Sequence, residues 1–367
     1  MINREEITSI LTGYDLRNLT VATIGSHSAL QIFHGAKQEG LHTLNICTKE
    51  RRAAYESFPL AKADEFLIVS KFSDIVREDV QAQLVEKNCI IIPHGSFVEY
   101  VTAKAILDKF RVPLFGNREN LSWETDRNKQ RAWLKSAGLR MPKEYKHPSE
   151  IDGRIFAKLP GAKGGRGFFT ASSEVEFRRK ISEKVAKGEI KPEETQEVTI
   201  QEFAVGVRYY LHFFASPIAD YGLPVKESTL ELLSMDKRIE PVDESYRGLP
   251  NTPEEFFDYT VTGNEAVIVR ESLLPEVLNM GAKTVERSMK LFPPGMNGPF
   301  SLETIFNPNT GFTVFEISAR IVAGTNLYPM GSPYSAYLYK EPMSTGRRIA
   351  REIKLASEIG QFGKIIY

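Results

Sequence analysis

A glycine-rich segment in the middle of the chain has the composition of a phosphate-binding loop. Residues 160–167 are Pro-Gly-Ala-Lys-Gly-Gly-Arg-Gly. Glycines let backbone N–H groups approach an anion without hindrance from a Cβ atom, and Lys163 and Arg166 add positive charge. No Gly-Lys-Ser/Thr sequence follows, so the segment is not a P-loop. Because strands are predicted on both sides, at 154–159 and 168–171, we predict a flap that covers phosphates; the alternative is a glycine-rich hairpin turn without a ligand.

Two glutamates on neighbouring predicted strands form a candidate metal site. Glu303 lies on the strand predicted at 298–306 and Glu316 on the strand predicted at 312–317, with a turn-rich segment at 307–311 between them. A short turn places the two carboxylates opposite each other, where like charges are destabilising. A divalent cation removes that cost, and carboxylate oxygens suit a Mg²⁺ ion that bridges nucleotide phosphates. The alternative register puts the two side chains on opposite faces of the hairpin, both in solvent.

Three further positions carry side chains that are suited to binding. Lys158 precedes the glycine loop on its predicted strand and either faces a phosphate or is an exposed surface lysine. His27 follows the first predicted strand and opens a helix, a position where backbone N–H groups bind phosphate; the alternative is a surface histidine that caps the helix. His94 lies at the end of the fourth predicted strand and is either a ligand-binding residue or a packed loop residue.

The first third of the chain alternates between predicted strands and helices. Such alternation implies parallel strands in βαβ units, whose ligands bind at the carboxyl ends of the strands. The loops at 25–28 and 93–97 lie at such ends, so we expect both to face a ligand. The strands of this part are predicted at residues 19–24, 41–46, 66–69 and 89–92, and the helices at 29–39 and 74–87.

The remainder of the chain is predicted to contain an antiparallel sheet with flanking helices. The charged, proline-containing residues 236–259 are predicted to form a long surface excursion. Further strands are predicted at 199–203, 207–215 and 231–235, and helices at 124–137, 173–187, 272–291 and 343–359.

Length, charge and composition narrow the class of protein. The chain has 367 residues, more than the ~250–300 residues that one core supports, so we expect two or three lobes. Lys+Arg and Asp+Glu are both 47, and the resulting zero net charge argues against a nucleic-acid partner. The two cysteines make no disulfide framework. No segment approaches the ~18–20 apolar residues of a membrane span, so we expect a cytoplasmic protein without a membrane partner.

The order of these motifs resembles that of the ATP-grasp ligases. A predicted helix that ends in residues 137–142, a strand with Lys158, the glycine flap, the stretch 201–206 and two late carboxylates follow one another as in that family. The resemblance implies an α/β fold, α+β in the ATP-grasp part, with ATP bound between two lobes. The implied domains are a Rossmann-like domain at 1–122, a small lid domain with the flap at 123–205 and a central domain at 206–367.

Several segments are similar to one branch of that family, the archaeal 5-formaminoimidazole-4-carboxamide ribonucleotide synthetases. This resemblance implies that formate, ATP and 5-aminoimidazole-4-carboxamide ribonucleotide (AICAR) give the formamide (FAICAR), ADP and phosphate through formyl phosphate, a step of purine biosynthesis. It also implies a homo-oligomer, a trimer or a hexamer. The similar segments are residues 23–28, 93–97, 113–118, 235–238, 262–264 and 315–320.

The resemblance also implies roles for individual residues. The chemistry of the implied reaction, apart from the resemblance, points to Arg320, as a bidentate partner of formate or of the acyl phosphate, and to Lys158, beside the transferring phosphoryl group, as the catalytic residues. The magnesium or manganese ligands would be Glu303 and Glu316. The ribonucleotide would be bound by His27, Ser96 and Asn264. ATP would be bound by Lys158, Gly164, Gly165, Arg166, Gly167, Gln201, Glu202, Phe203 and Glu240, with residues 201–203 on the adenine and Glu240 on the ribose.

Two positions depart from the family pattern. Arg127 stands where many ATP-grasp enzymes have a lysine, and Glu303 stands where some members of the branch have a glutamine. Two alternatives therefore stay open: an ATP-grasp carboxylate–amine ligase with a different substrate, and a nucleotide-binding paralogue without turnover. The presence of Glu303, Glu316 and the flap argues against the second alternative.

Overall fold

The computed structural model of the protein describes residues 2–163, 166–241 and 260–367, without the side chains of residues 161–163 and 166. Across these residues the strands form three sheets. Within the same ranges, no helix has both the length and the apolar character that crossing a membrane requires.

The first sheet is parallel, as the alternating pattern predicts. Its strands lie in the order β3-β2-β1-β4, and β1 and β4 are fully buried because helices cover both faces of the sheet. The strands are β1 (Thr20–Ile24), β2 (His42–Cys47), β3 (Glu65–Ile68) and β4 (Cys89–Ile91). The helices are α1 (Arg4–Leu11), α2 (His27–Gln38), α3 (Lys49–Glu56), α4 (Glu78–Glu86), α5 (Gly95–Val101), α6 (Ala103–Lys109) and α7 (Glu119–Thr125).

The second sheet carries the glycine loop. It is antiparallel in the order β5-β8-β6-β7, and β6 pairs with β7 as far as Lys163 and Arg166, so strands flank the glycine segment as predicted. Phe177 of the covering helix packs against Phe169 of β7, with the ring centroids 5.5 Å apart. The elements are α8 (Arg127–Ser136), β5 (Glu144–Tyr145), β6 (Ile155–Lys163), β7 (Arg166–Ala171), α9 (Glu174–Ala186) and β8 (Thr199–Glu202).

The third sheet is antiparallel in the order β10-β11-β9-β13-β14, and β12 pairs with β11. It is apolar on one face, where Phe213, Leu302 and Ile317 are buried in a core shared with α8 and α10. Side chains alternate along a strand, so the neighbouring residues form a second face, which we call the polar face. The elements are β9 (Val207–Ser216), β10 (Leu223–Val225), β11 (Ser228–Ile239), β12 (Gly263–Ala266), α10 (Leu274–Leu291), β13 (Gly298–Asn307), β14 (Gly311–Ser318), α11 (Pro333–Leu338) and α12 (Thr345–Glu358).

The carboxyl-terminal helix α12 packs on α2 of the first part of the chain. Two glycines allow the close approach: a Cβ on Gly35 would lie 2.1 Å from the Arg347 nitrogen, and a Cβ on Gly346 would lie 2.2 Å from the Gln31 oxygen. Apolar residues of both helices share one core cluster. The chain therefore returns at its end to the parallel sheet where it began.

Three predicted elements differ from the structure. The surface excursion predicted at 236–259 is wrong at its start, because β11 continues to Ile239 and Asp236 is 1% exposed; residues 242–259 lie outside the described ranges. The helix predicted at 124–137 is two helices, because the Asp126 side chain accepts from the backbone N–H groups of Asn128 and Lys129 and starts α8 there. The helix predicted at 74–87 begins instead at Glu78, after a 3₁₀ turn.

Candidate active site

Two turns at the carboxyl ends of β1 and β4 lie side by side, since these strands pair directly. Ser26 caps α2 by accepting from the Ala29 N–H at 3.1 Å, and His27 follows it with an exposed side chain. Ser96 is half-buried in the first helical turn of α5, which follows β4. The structure therefore places His27 and Ser96 at the same edge of the parallel sheet, where ligands of such sheets bind.

Of the two alternatives for His94, a ligand-binding residue or a packed loop residue, the structure shows the packed loop residue. Its side chain is 1% exposed; Nδ1 accepts from the Phe97 N–H at 3.3 Å, and Nε2 lies 3.0 Å from the Ile24 carbonyl oxygen. Burial lowers the pKa of His94 to about 4, and the positive charge of Arg320 acts in the same direction. A neutral imidazole thus joins the two turns that carry His27 and Ser96.

The predicted carboxylate pair is present on the polar face of the third sheet, which we call the central sheet. Glu303 and Glu316 are direct partners across β13 and β14, and Tyr210 and Asp236 continue the same row across β9 and β11. Residues paired directly in antiparallel strands share one face of the sheet. The prediction that the two glutamates face each other is therefore confirmed.

The two glutamates have different surroundings. Glu303 is 4% exposed and accepts from Arg238 Nη2 at 3.0 Å and from Ser318 Oγ at 3.3 Å. Glu316 opens to solvent and has no hydrogen bond or ion pair within the described part of the chain. Protein atoms still surround its carboxylate on several sides, and this burial, together with the charge of Glu303, raises the pKa of Glu316 to about 7. Glu316 is the carboxylate that most needs a positive partner.

The pair fits a divalent cation that takes its other ligands from phosphate and water. Among the described residues, no group of three or more His, Cys, Asp or Glu side chains is arranged to hold a metal ion. Mg²⁺ is usually held by one or two carboxylates and by substrate phosphates. Glu303 and Glu316 supply such oxygens, although a cation at Glu303 would have to share that carboxylate with Arg238.

Lys158 lies beside the carboxylate pair, on the second sheet, which we call the flap sheet. It is half-buried on β6, and burial lowers its pKa, while the negative charges of Glu316 and Glu303 act in the opposite direction. The neighbouring flap is described only in part. Gly167 lies on β7 with φ +78°, the backbone of Arg166 lies on the same strand, and Gly164 and Gly165 lie outside the described residues.

Arg320 lies between the central sheet and the part of the chain that carries the parallel sheet, which we call the first domain. Its Nη2 lies 3.0 Å from Glu124 Oε1, while Glu124 Oε2 accepts from the Ala319 N–H at 2.8 Å. The guanidinium group packs against Gly95, and its Nε is buried without a hydrogen-bond partner among the described residues. Burial raises the pKa of Glu124, and Arg320 opposes the shift. Glu124 was not predicted from the sequence, because nothing near it in the sequence indicates a contact with Ala319, 195 positions away.

The residues predicted at adenine and ribose already have partners in the protein. The N–H groups of Glu202 and Phe203 donate to the carbonyls of Lys143 and Arg154, at 2.8 and 3.0 Å. Gln201 is buried and donates to Glu144 Oε1 at 3.2 Å. Glu240 is 5% exposed and forms an ion pair with Arg208. These residues lie where the flap sheet meets the central sheet, and their contacts with ATP stay predictions.

Asn264 lies on β12 beside a buried carboxylate. Its Nδ2 donates to Asp236 Oδ2 at 2.7 Å, and Asp236 Oδ1 lies 2.6 Å from His212 Nε2. β12 and α2 both pack against the 3₁₀ turn Ala323–Leu327. This turn connects the strand that carries Asn264 with the helix that begins at His27. Neither Asp236 nor His212 was a candidate from sequence, although Asp236 lies in the similar segment 235–238.

Solved structures resemble this chain over most of its length. The IMP biosynthesis protein PurP from Thermococcus kodakaraensis is 32% identical with a TM-score of 0.72, and the match covers 95% of this chain and 100% of that one. The ATP complex of carboxyaminoimidazole ribonucleotide synthase from Aspergillus clavatus is 12% identical with a TM-score of 0.60, and the match covers 92% and 77% of the two chains. The fold, the flap sheet and the polar face define an ATP-grasp protein.

Curated relatives match the chain from end to end. The relative from Korarchaeum cryptofilum is 53% identical over 368 residues, and that from Methanococcoides burtonii is 48% identical over 373 residues, each covering 100% of both chains. Both are named 5-formaminoimidazole-4-carboxamide-1-(beta)-D-ribofuranosyl 5'-monophosphate synthetase. Family models described as a protein of unknown function (DUF1246) and a domain of unknown function (DUF1297) match residues 21–145 and 176–367. The chain belongs to this synthetase family, which confirms the resemblance inferred from the motifs.

Proposed function

We propose that the protein is the ATP- and formate-dependent ligase that converts AICAR to FAICAR in purine biosynthesis, with release of ADP and phosphate. The carrying observation is the facing pair Glu303 and Glu316 with Lys158 of the flap sheet beside it, in a chain of the synthetase family. Two carboxylates and a lysine next to a glycine flap suit a nucleotide triphosphate that transfers its terminal phosphoryl group.

The chemistry explains why such a site is needed. Formate is a poor electrophile, and the aromatic amine of AICAR is a weak nucleophile. In the proposed reaction a formate oxygen attacks the γ-phosphorus of ATP, and ADP leaves with formyl phosphate formed. The amine then attacks the formyl carbon, the bond from that carbon to the bridging oxygen breaks, and phosphate leaves with that oxygen while the amine loses a proton.

Lys158 and the glycine loop would bind the phosphates of ATP, and Gly164, Gly165, Arg166 and Gly167 would cover them. A fixed positive charge beside the transferring phosphoryl group stabilises the charge that develops there. Closure of the flap would exclude water, which otherwise hydrolyses an acyl phosphate. Residues 201–203 would contact the adenine, and Glu240 would hold the ribose once it shares its carboxylate with Arg208.

Glu303 and Glu316 would hold Mg²⁺ or Mn²⁺. When bound, the ion would supply positive charge that neutralises the phosphate oxygens. The carboxylate of Glu316 must be ionised to act as a ligand, and no hydrogen bond or ion pair from the described residues occupies it.

Arg320 would bind formate or the acyl phosphate. A guanidinium group binds planar carboxylates with parallel hydrogen bonds, and the unpartnered Nε of Arg320 supports an anion beside it. His27, Ser96 and Asn264 would bind the ribonucleotide around the turns at the ends of β1 and β4. A homo-oligomer, trimer or hexamer, stays a prediction from the family resemblance.

An isotope experiment tests both the reaction and its intermediate. The protein is incubated with oxygen-18 formate, ATP, Mg²⁺ and AICAR, and the phosphate and nucleotide products are analysed by mass spectrometry. We expect FAICAR and one oxygen-18 atom in each phosphate released. FAICAR with unlabelled phosphate would rule out formyl phosphate but not the ligase, whereas ADP without FAICAR would point to a ligase for a different substrate.

A further inference from the structure

A row of three polar side chains connects the interior of the central sheet with the proposed ribonucleotide site. His212 of β9, Asp236 of β11 and Asn264 of β12 are joined by contacts of 2.6 and 2.7 Å. His212 is 2% exposed and Asp236 is 1% exposed, while Asn264 is half-buried. The row therefore runs from a fully buried histidine to a side chain that solvent can reach.

The buried carboxylate of Asp236 determines which groups of its two neighbours act as hydrogen-bond donors. An ionised aspartate only accepts, so Asp236 Oδ1 accepts from His212 Nε2–H and Asp236 Oδ2 accepts from Asn264 Nδ2. His212 Nδ1 is buried and has no hydrogen-bond partner in the described part of the chain. A bare ring nitrogen at that position avoids the larger cost of a buried N–H with no acceptor, which favours the tautomer with its proton on Nε2.

This arrangement fixes which end of the Asn264 amide is used. With Nδ2 committed to Asp236, the carbonyl oxygen Oδ1 remains as an acceptor, and no described residue donates to it. The amide cannot rotate by half a turn without placing its oxygen against the carboxylate. The carbonyl oxygen Oδ1 of Asn264 is therefore held in a fixed position as an acceptor, beside the second N–H of Nδ2.

Asp236 also contacts the 3₁₀ turn Ala323–Leu327, which packs against α2. The backbone of Gly324 presses on the carboxylate so closely that a Cβ there would lie 2.1 Å from Asp236 Oδ1. The next residue, Thr325, accepts from Gln31 Nε2 of α2 at 2.9 Å. The carboxylate that orients Asn264 is thus in contact with the turn that also packs against the helix beginning at His27.

We propose that Asp236 is a positioning residue that, supported by His212, holds the Asn264 carbonyl oxygen ready to accept a hydrogen bond from the ribonucleotide. This proposal rests on the proposed function. The ligand group must be an N–H or O–H donor, and AICAR offers its amine, its carboxamide NH₂ and its ribose hydroxyls. An oxygen held as an acceptor recognises such a donor and rejects a ligand that presents a lone pair there.

The direct test is the variant Asp236→Asn, which keeps size and shape. Its amide offers one acceptor to His212 and turns an NH₂ group toward Asn264, so Asn264 must turn over and present its own NH₂ to the ligand. We expect AICAR, titrated by calorimetry into the full-length protein, to bind about tenfold or more weakly. Binding of a non-hydrolysable ATP analogue with Mg²⁺ should change by less than about twofold.

A rescue variant separates orientation from a general structural effect. In Asp236→Asn combined with Asn264→Asp, the amide at 236 donates to a carboxylate at 264, whose second oxygen is again an acceptor for the ligand. We expect this double variant to regain AICAR affinity to within about threefold of the wild type. Failure to regain affinity with a folded protein, or wild-type AICAR affinity in the single variant, would overturn the proposal.

A third variant covers the case in which Asp236→Asn does not fold. Asn264→Ala removes the half-buried amide and leaves Asp236 bound to His212, so we expect a folded protein with the same selective loss of AICAR affinity. Unchanged AICAR affinity in this variant would also overturn the proposal. Failure of the proposed function can be distinguished from failure of this proposal. If the wild-type protein does not bind AICAR, the proposed function is contradicted before any variant is compared.

Discussion

The carboxylate pair of the central sheet is asymmetric at the level of single residues. Glu303 is already neutralised by Arg238, whose guanidinium carbon lies 3.9 Å from the centroid of the Tyr210 ring. Glu316 faces it without a hydrogen-bond or ion-pair partner among the described residues, and its pKa is raised to about 7. One carboxylate is thus fixed by the protein, and the other is left for a ligand of positive charge.

Glu316→Ala should abolish turnover without harming the fold. The substitution removes the unpartnered carboxylate, so we expect kcat/KM to fall by about a hundredfold or more. It also removes repulsion with Glu303, so the free energy of unfolding should not decrease. The measurements are steady-state ADP release and urea unfolding, with Glu358→Ala on the exposed end of α12 as the matched control. Near wild-type activity of the folded variant would remove Glu316 from the metal site.

The lowered pKa of the buried His94 is expected to make the stability of the protein depend on pH. The folded protein disfavours the imidazolium down to about pH 4, whereas an unfolded histidine titrates near ~6.5. Between these values the imidazole binds more protons in the unfolded state, so the contribution of His94 to stability falls as the pH falls. The raised pKa of Glu316 acts in the opposite direction, equally in the wild type and in a His94 variant. The expected loss of the His94 contribution from about pH 7 to about pH 5 is on the order of 2 kcal/mol. His94→Asn retains a capping side chain and should lose this contribution, measured by urea unfolding at both pH values.

The exposed His147 supplies the control for that experiment. His147→Asn should keep the pH dependence of the wild type, because its side chain is in solvent. An equal pH dependence of the wild type and His94→Asn would show that the buried imidazole is not disfavoured in the folded state.

At the scale of elements, an ion network buried from solvent joins α12 to β11. Arg348 is 0% exposed and donates to Glu231 Oε1 at 2.8 Å and to Glu352 Oε2 at 2.6 Å. Its guanidinium carbon lies 4.1 Å from the centroid of the Phe214 ring. The network connects the helix that packs on the first domain with the sheet that carries the carboxylate pair.

Arg348→Met should destabilise the protein strongly, because it leaves two buried carboxylates without their cation. We expect a loss of about 3–5 kcal/mol in the free energy of unfolding. The triple variant Arg348→Met, Glu231→Gln, Glu352→Gln removes the stranded charges and should recover most of that loss. A single variant within about 1 kcal/mol of the wild type would show that the network contributes little.

The elements that sequence could predict are those set by local pattern. The four strands of the parallel sheet and the helices α2 and α4 follow from alternation within short windows, whereas α1, α3, α5 and α6 were not predicted. The short turn between β13 and β14 was enough to predict that Glu303 and Glu316 face each other. β12 could not be predicted, because its partner β11 lies across a long intervening segment. The same is true of Glu124 and Asp236, whose roles depend on partners that only tertiary packing brings close.

At the scale of the whole molecule, zero net charge conceals a concentration of charge at one place. Lys158, Arg238 and Arg320 lie with Glu303 and Glu316 where the flap sheet, the central sheet and the first domain meet. The packing of α12 on α2 joins the part of the chain with the central sheet to the first domain. The flap sheet contributes Lys158 to the same place. A local site of this kind would be compatible with phosphorylated substrates although the formal net charge of the chain is zero.

The central claim is that ADP release depends on formate and on the ribonucleotide. The most direct measurement is the rate of ADP release by the purified protein in the complete mixture and with formate or AICAR omitted in turn. We expect one ADP for each FAICAR in the complete mixture and only background release when either substrate is missing. Release at the full rate without AICAR when an amino acid replaces it, or release at the full rate without formate, would contradict the assignment.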